Sequence, residues 1–304
     1  MDNRVGLFLA LALVVSASGQ GSPPRGILFV SQRPPEHEGE EIYIINPDGT
    51  GERRLTYSGD GKNSNIPQWS PDGTLIAFAS NREDNDGRSS IYVMDGDGAN
   101  VRRLTQVGSR DYFPRWSPDG TKIAFMSSRD GDAEIYLMSP DGSDLQKLTD
   151  NEAFDAAFSW SPDGRLVLTS ERDGTAMIYI MDSDGSDVRA IGPGWGGEWM
   201  RDTGHIRYMD YPASEKNGVR CFGVLDLEGT VVEQGCDYDP VKRGGCGYSP
   251  DGTQVAFTAT LDGVTRFPVT EEESRKREVY VVDVDGSNMR RLTFNDYYDG
   301  HCSW

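Results

Sequence analysis

The stretch Trp69-Ser70-Pro71-Asp72-Gly73 returns unchanged at 116–120 and 160–164. It returns again with the aromatic exchanged, as Tyr248-Ser249-Pro250-Asp251-Gly252, and worn down, as Trp199-Met200-Arg201-Asp202-Thr203-Gly204. In each copy an apolar residue enters from an extended segment, Pro-Asp-Gly reverses the chain with Gly where φ > 0 is wanted, and an alternating run returns. The unit is a β-hairpin. Its return strands, Ile76-Ala77-Phe78-Ala79, Ile123-Ala124-Phe125-Met126 and Val255-Ala256-Phe257-Thr258, put large side chains on one face and mostly small ones on the other. Such strands suit sheets covered on both faces.

Working outward, a third strand follows each hairpin after a variable loop, at 42–45, 91–94, 135–138, 178–181, 222–225 and 279–282. A second turn, typified by Asp95-Gly96-Asp97-Gly98, leads to a fourth strand such as Arg102-Arg103-Leu104-Thr105 or Arg290-Arg291-Leu292-Thr293. Four strands per repeat, with anchors 39 to 56 residues apart, is the spacing of a propeller blade. The sixth copy is split: the chain ends on Trp304, and the segment that follows every other anchor appears at the opposite end as 22–31. The expected fold is therefore all-β, a six-bladed β-propeller of four-stranded antiparallel blades, closed by pairing the N- and C-terminal segments in one blade.

Arg4, the apolar run from Val5 to Val15 and the small residues Ser16-Ala17-Ser18-Gly19 read as a secretory signal peptide over 1–19, leaving 20–304 for the propeller. The run is too short to cross a bilayer, and no other stretch is apolar enough. A secreted or periplasmic location is expected. The formal charge is −19, from 49 acidic and 30 basic residues, which opposes nucleic acid as a partner. Many of these acids are turn residues that bond their own backbone. The basic residues gather on fourth strands (Arg53, Arg54, Arg102, Arg103, Lys147, Arg290, Arg291), where they blunt blade edges. Four cysteines in an exported chain invite pairing. Cys221 opens the third strand of the fifth blade and Cys236 follows its fourth, so these two are expected to meet. Cys246 and Cys302 stand two residues before anchor aromatics in neighbouring blades and form the second expected pair.

In an up-and-down blade the loops between blades and the second-to-third loops share one face. Here that face carries the long, varied loops 32–41, 81–90, 211–219 and 261–278, so binding is assigned to it. Five positions before each anchor stand Ser64, Asp111, Asp155, Gly194, Arg243 and Asp299. Asp111, Asp155 and Asp299 can converge on the channel mouth to hold Ca²⁺, can receive a partner's Lys or Arg, or can cap turns. Tyr112, Phe154, Trp195, Tyr238, Tyr297, Tyr298 and His301 accompany them, as aromatics do at protein or carbohydrate contacts or as plugs of the channel. The binding set is Asp111, Tyr112, Asp155, Trp195, Arg243, Tyr298, Asp299 and His301.

The Asp-x-Asp-Gly turns at 95–98, 182–185 and 283–286 lack the Gly and Glu of an EF-hand, and His37, His205 and His301 have no close-spaced partner for zinc. No Gly-x-Ser-x-Gly or phosphate-cradling glycine loop is present, and no catalytic residue is assigned.

The Trp-Ser-Pro-Asp-Gly anchors, Ile-Ala-Phe returns, Ile-Tyr-x-Met strands, Asp-x-Asp-Gly turns and Arg-Arg-Leu-Thr ends together resemble the TolB-like six-bladed propeller family, whose repeat is WD-repeat-like. The resemblance covers about residues 22–304, with the fifth blade its poorest part. It implies a periplasmic or secreted protein-binding propeller that docks a protein partner at its channel mouth, as the Tol-system propeller docks a lipoprotein. The chain is expected to lack the α/β domain that precedes the propeller in TolB proper. Two functions are compatible with these residues: a non-catalytic propeller that binds a protein through its loop-rich mouth, and a carbohydrate-active propeller enzyme, either a metal-dependent polysaccharide lyase or a glycoside hydrolase working with paired carboxylates.

Overall fold

Each Ser-Pro-Asp-Gly segment closes its hairpin through its own side chains. Ser70 Oγ donates to Asp72 at 2.6 Å and accepts from the Leu75 amide at 2.9 Å, while the Gly73 amide donates to the Ser70 carbonyl. The same serine bonds recur at Ser117, Ser161 and Ser249. The tryptophans before Ser70, Ser117 and Ser161 tie blades together. Indole Nε1 of Trp116 donates to the Gln68 carbonyl and that of Trp160 to the Arg115 carbonyl, both at 3.2 Å, and Trp69 reaches the Gly26 carbonyl at 3.0 Å.

The computed structural model describes residues 25–33, 39–200, 203–210, 221–236, 247–260, 277–295 and 297–304. In chain order its strands are β1 (Ile27–Ser31), β2 (Glu41–Ile45), β3 (Arg53–Arg54), β4 (Ser64–Trp69), β5 (Leu75–Ser80), β6 (Ser90–Asp95), β7 (Arg102–Arg103) and β8 (Asp111–Trp116). There follow β9 (Ile123–Ser127), β10 (Glu134–Met138), β11 (Gln146–Lys147), β12 (Asp155–Trp160), β13 (Leu166–Ser170), β14 (Met177–Met181), β15 (Arg189–Pro193) and β16 (Trp195–Trp199). The last eight are β17 (Ile206–Asp210), β18 (Cys221–Leu225), β19 (Val231–Gly235), β20 (Gly247–Tyr248), β21 (Gln254–Thr260), β22 (Arg277–Asp283), β23 (Arg290–Arg291) and β24 (Asp299–Ser303). They form six four-stranded antiparallel sheets, of which blade 1 is β24-β1-β2-β3 and blades 2 to 6 take the rest in order. The expected six-bladed propeller is what forms. The split blade closes as expected: β24 pairs with β1 in the register Leu28↔Ser303, Val30↔Gly300, Ser31↔Asp299, and Trp304 Nε1 donates to the Arg25 carbonyl at 3.0 Å.

The core lies between blades. Ile76 and Phe78 of blade 2 pack on Leu28, Val30 and Ile42 of blade 1, while Ala77 and Ala79 on the opposite face receive Ile123 and Phe125 of blade 3. Large residues thus meet small ones across each gap, as close packing demands. Blade 6 joins blade 1 through Ala256, Val279, Val281 and Leu292 against Ile27 and Phe29. Within blades, Phe on the second strand stacks on Tyr of the third, with centroids 5.4 to 5.8 Å apart for Phe257–Tyr280 through Phe125–Tyr136.

Fourth strands are shorter than expected in four blades. Only two residues pair in the ladder; the following Leu amide still donates to the third strand, and the Thr hydroxyl then takes the place of a backbone partner. Thr56, Thr105, Thr149 and Thr293 accept from the amides of Ile42, Ile91, Ile135 and Val279 at 2.9 to 3.0 Å. The edge arginines also do more than blunt an edge. Arg53 donates to the Asp97 carbonyl, Arg102 to Pro140 and Arg189 to Leu227, each in the next blade.

The Asp-Gly turns stack on the preceding blade. Gly142, at φ +88°, sits where an added Cβ would lie 2.9 Å from the Leu104 carbonyl oxygen. G142A is expected to lose about 1–2 kcal/mol from the left-handed backbone alone, and more from the contact. Urea unfolding checks this, and an unchanged midpoint would contradict it.

Hydroxyl hydrogen bonds, supported by backbone amides, hold the turn carboxyls of Asp72, Asp119, Asp141, Asp184, Asp251 and Asp285 below the usual carboxylate range. A depressed folded pKa stabilises above the unfolded value of about 4 and loses that contribution as pH falls through the folded value. Burial pushes Asp111, Glu134 and Glu278 the other way, and these three favour the folded state on protonation. The turn carboxyls outnumber them, so the urea midpoint is expected to hold from neutral pH down to about 4 and to fall below it. A midpoint that stays level or rises on further acidification would show that the buried carboxyls dominate.

Cys221 and Cys236 form the expected disulfide. Cys302 is also disulfide-bonded, while Cys246 lies outside the described residues, as do the signal-peptide reading, Arg243, Tyr238 and His37. Among the described residues no helix is long and apolar enough to cross a membrane.

Candidate functional site

In blades 1 to 4 the innermost strand begins on the loop-rich face with the residue five before its anchor. Asp111, Asp155 and Asp299 stand at these positions, each fully buried, and each faces an arginine of its own blade. Arg129 Nη2 meets both oxygens of Asp111 at 3.0 Å, Arg172 Nη2 meets Asp155 at 2.9 Å, and Arg33 Nη2 meets Asp299 at 3.1 Å. In blade 2, where the position is Ser64, Arg82 Nη2 donates to its hydroxyl at 2.9 Å.

The arginine comes from a Ser-x-Arg ending of the second strand: Ser31-Gln32-Arg33, Ser80-Asn81-Arg82, Ser127-Ser128-Arg129 and Ser170-Glu171-Arg172. Nε donates back to that serine at 2.8 to 3.2 Å. The guanidinium lies over the blade's aromatics, as Arg129 does over Phe125 at 5.6 Å and Tyr136 at 4.7 Å. The Tyr136 hydroxyl in turn donates to Asp130, and burial together with that carboxylate pushes it up to about 12. Aspartate, arginine, serine and aromatic form one frame in each of blades 1, 3 and 4, and blade 2 repeats it with Ser64 in place of the aspartate. A sequence reading that began from the aspartates passed over the arginines, although the repeated Ser-x-Arg was there to be read.

A second frame stands at the start of the third strand. Glu41, Glu134 and Glu278 are buried, accept from Thr56, Thr149 and Thr293, and pair with Arg54 at 2.8 Å, Lys147 at 3.6 Å and Arg291 at 2.6 Å. These frames account for the mouth carboxylates by architecture. Among the described residues no group of three His, Cys, Asp or Glu side chains is placed to hold a metal ion. Each of the three aspartates is instead paired with an arginine of its own blade.

Several of the expected aromatics pack on one another between blades. Trp195 and Phe154 meet at 5.4 Å between centroids, and Tyr112 and Phe154 pack on Met126 and Ala156. Tyr298 covers Gly300, where no Cβ would fit, and its carbonyl accepts from the Gln32 amide at 3.3 Å. His301 is exposed and takes φ +44°, matching Ile66 (+54°), Phe113 (+56°) and Gly196 (+65°) three residues before their anchors. These residues sit at bulges in the innermost strands, which turn the channel wall at one level in blade after blade. Below them, Arg207 pairs with Glu198 at 2.6 Å, and burial lowers the Arg115 guanidinium against the pull of Glu198.

The sequence reading missed an outer pair of rings on the same face. Tyr57 and Phe294 follow the Leu-Thr ends of neighbouring blades 1 and 6 and are 71% and 75% exposed. Arg54 and Arg291 lie against them at 4.4 and 4.7 Å, each held from behind by Glu41 or Glu278. Each ring rests on a fixed cation and turns its other face to water.

This architecture is that of a six-bladed β-propeller. Residues 109–202, spanning blades 3 and 4 and the first strand of blade 5, match the TolB beta propeller domain family. TolB from Acinetobacter baumannii is similar at 19% identity and a TM-score of 0.67, over 92% of this chain and 66% of that one, so the present chain spans just under two thirds of that protein. A putative TolB from Agrobacterium tumefaciens is similar at 19% identity, TM-score 0.58, over 89% of each chain. An oligogalacturonate lyase from Vibrio parahaemolyticus is similar at 16% identity, TM-score 0.56, over 88% of this chain and 74% of that one. Likenesses at this level carry the fold. No curated protein matches the sequence.

Proposed function

We propose that this protein is an exported, periplasmic or secreted, non-catalytic propeller that binds a protein partner through its loop-rich mouth. The observation that carries the reading is the state of the mouth carboxylates and aromatics. Asp111, Asp155 and Asp299 are committed to arginines, whereas Tyr57, Phe294 and Tyr297 are offered to solvent on the same face. Acid–base chemistry on a glycan needs carboxylates free to exchange protons, and a buried ion pair works against that. Aromatic rings backed by arginine are what protein interfaces enrich. In this reading Tyr112, Trp195, Tyr298 and His301 line the centre of the docking surface, the three aspartates hold its shape, and Tyr57, Phe294 and Tyr297 grip the rim. The likeness to TolB proteins supports a protein partner and an envelope location.

The test is affinity capture from an envelope extract, comparing the wild-type chain with Tyr57→Ser/Phe294→Ser/Tyr297→Ser. Truncating aromatic anchors typically removes about 2 kcal/mol or more each, so capture is expected to fall below detection while the melting temperature stays put. Undiminished capture would overturn the assignment of this face.

A further inference from the structure

The outermost strand of blade 5 differs from the others in the ring. In blades 1, 2, 3 and 6 the outer strand is two residues long and carries Arg or Lys. In blade 4 it is longer, but it bears Arg189, whose guanidinium reaches blade 5, and it ends on Pro193. Charge, brevity and proline are the usual protections of a sheet edge. β19, Val231-Val232-Glu233-Gln234-Gly235, is neither short nor basic nor proline-bearing: it is five residues long, begins with two valines that are 42% and 48% exposed, contains no Lys, Arg or Pro, and carries the single charge of Glu233. Among the described residues no strand lies beyond it. Its one register irregularity falls at the turn end, and pairing with β18 is regular from Glu233 to Gly235. The disulfide Cys221–Cys236 then clamps β18 to β19 beside the Phe222↔Gly235 pair, so the outer strand is held extended by a covalent tie.

We propose that β19 is a docking edge on which an extended, lysine- or arginine-bearing segment of another protein adds a fifth strand to blade 5. An exposed edge offers a row of backbone groups whose matching ligand is another strand. Charge decides which strand. A second copy of this chain pairing antiparallel about the middle of β19 would set Glu233 opposite Glu233, and like charges directly opposite each other destabilise a ladder. The nearby turn adds Asp226 and Glu228, and the chain as a whole carries −19, so a basic segment is attracted where a second copy is repelled. This edge lies on the outer rim of one blade and is independent of the mouth.

The experiment adds a blocked ten-residue peptide of alternating valine and lysine to the full oxidised chain and follows amide hydrogen exchange at Val231–Gly235. At a concentration that fills about nine sites in ten, exchange there is expected to slow roughly tenfold, with the mouth loops unchanged. The same peptide N-methylated at alternate amides, which cannot complete a ladder, and the peptide with glutamate in place of lysine are expected to give no such slowing. Val231→Lys/Val232→Lys, which leaves the backbone able to pair but turns the edge cationic, is expected to abolish it, and Val232→Pro serves as a second variant that removes a ladder donor. Tyr57→Ser/Phe294→Ser/Tyr297→Ser is expected to retain it, which separates failure here from failure of the mouth reading. Equal slowing by the N-methylated peptide, no slowing by the basic peptide, or slowing that rises with protein concentration and no peptide would each overturn the proposal, the last in favour of a second copy.

Discussion

Deleting Asp299–Trp304 is expected to abolish cooperative folding. These six residues supply the innermost strand of blade 1, and the remaining strands of that blade lie at the opposite end of the chain. Without β24, Leu28 and Val30 lose one of their two ladders, Cys302 leaves a cluster shared with Ile27, Phe29, Val279 and Leu292, and Arg33 loses the buried carboxylate of Asp299. The loss falls on the seam between first and last blades, so it opens the ring as well as one sheet. The net stability of a native chain is about 5–15 kcal/mol, and a lost strand, core cluster and buried charge partner together are of that size. Circular dichroism melting tests this. A truncated chain that melts cooperatively within about 5 °C of the full one would mean the seam contributes almost nothing.

The second large effect is at the Asp–Arg frames. Arg129→Met keeps most of the stem over Phe125 and Tyr136 and removes the charge, leaving the fully buried Asp111 with Ser127 and Thr105 but no cation. Breaking a buried pair from one side costs about 3–5 kcal/mol, because the remaining charge stays desolvated. The double change Asp111→Leu/Arg129→Met removes both charges and is expected to recover part of that loss, since replacing a whole buried pair by apolar groups is often near neutral. Denaturant unfolding of wild type, single and double variants reads the difference. A single variant within about 1 kcal/mol of wild type would place the pair among surface ion pairs, which contribute little.

Much of the fold was legible because the repeat writes its own geometry. Ser70-Pro71-Asp72-Gly73 forms a turn through bonds between neighbouring residues, so spacing and residue type sufficed to place it. The split sixth blade was legible for the same reason: 22–31 reads like the continuation of Trp304. The mouth was less so. Asp111, Asp155 and Asp299 share one position before their anchors, but alignment by position says nothing about which way a side chain points, and all three pair within the blade with Arg129, Arg172 and Arg33. Tyr57 and Phe294 were missed because exposure depends on where Leu-Thr leaves the sheet, and only the two-residue pairing of β3 and β23 shows that. The open edge of β19 is likewise a contrast among blades, visible once the outer strands have lengths.

Ring closure can be measured directly by cross-strand nuclear Overhauser contacts in a deuterated sample. The register places Leu28 opposite Ser303, Val30 opposite Gly300 and Ser31 opposite Asp299, so backbone proton contacts are expected between those residues alongside the Leu28–Ile44 and Val30–Ile42 contacts of the next strand pair. Contacts from Leu28 and Val30 to β2 with none to Ser303 or Gly300 would contradict a closed six-bladed ring.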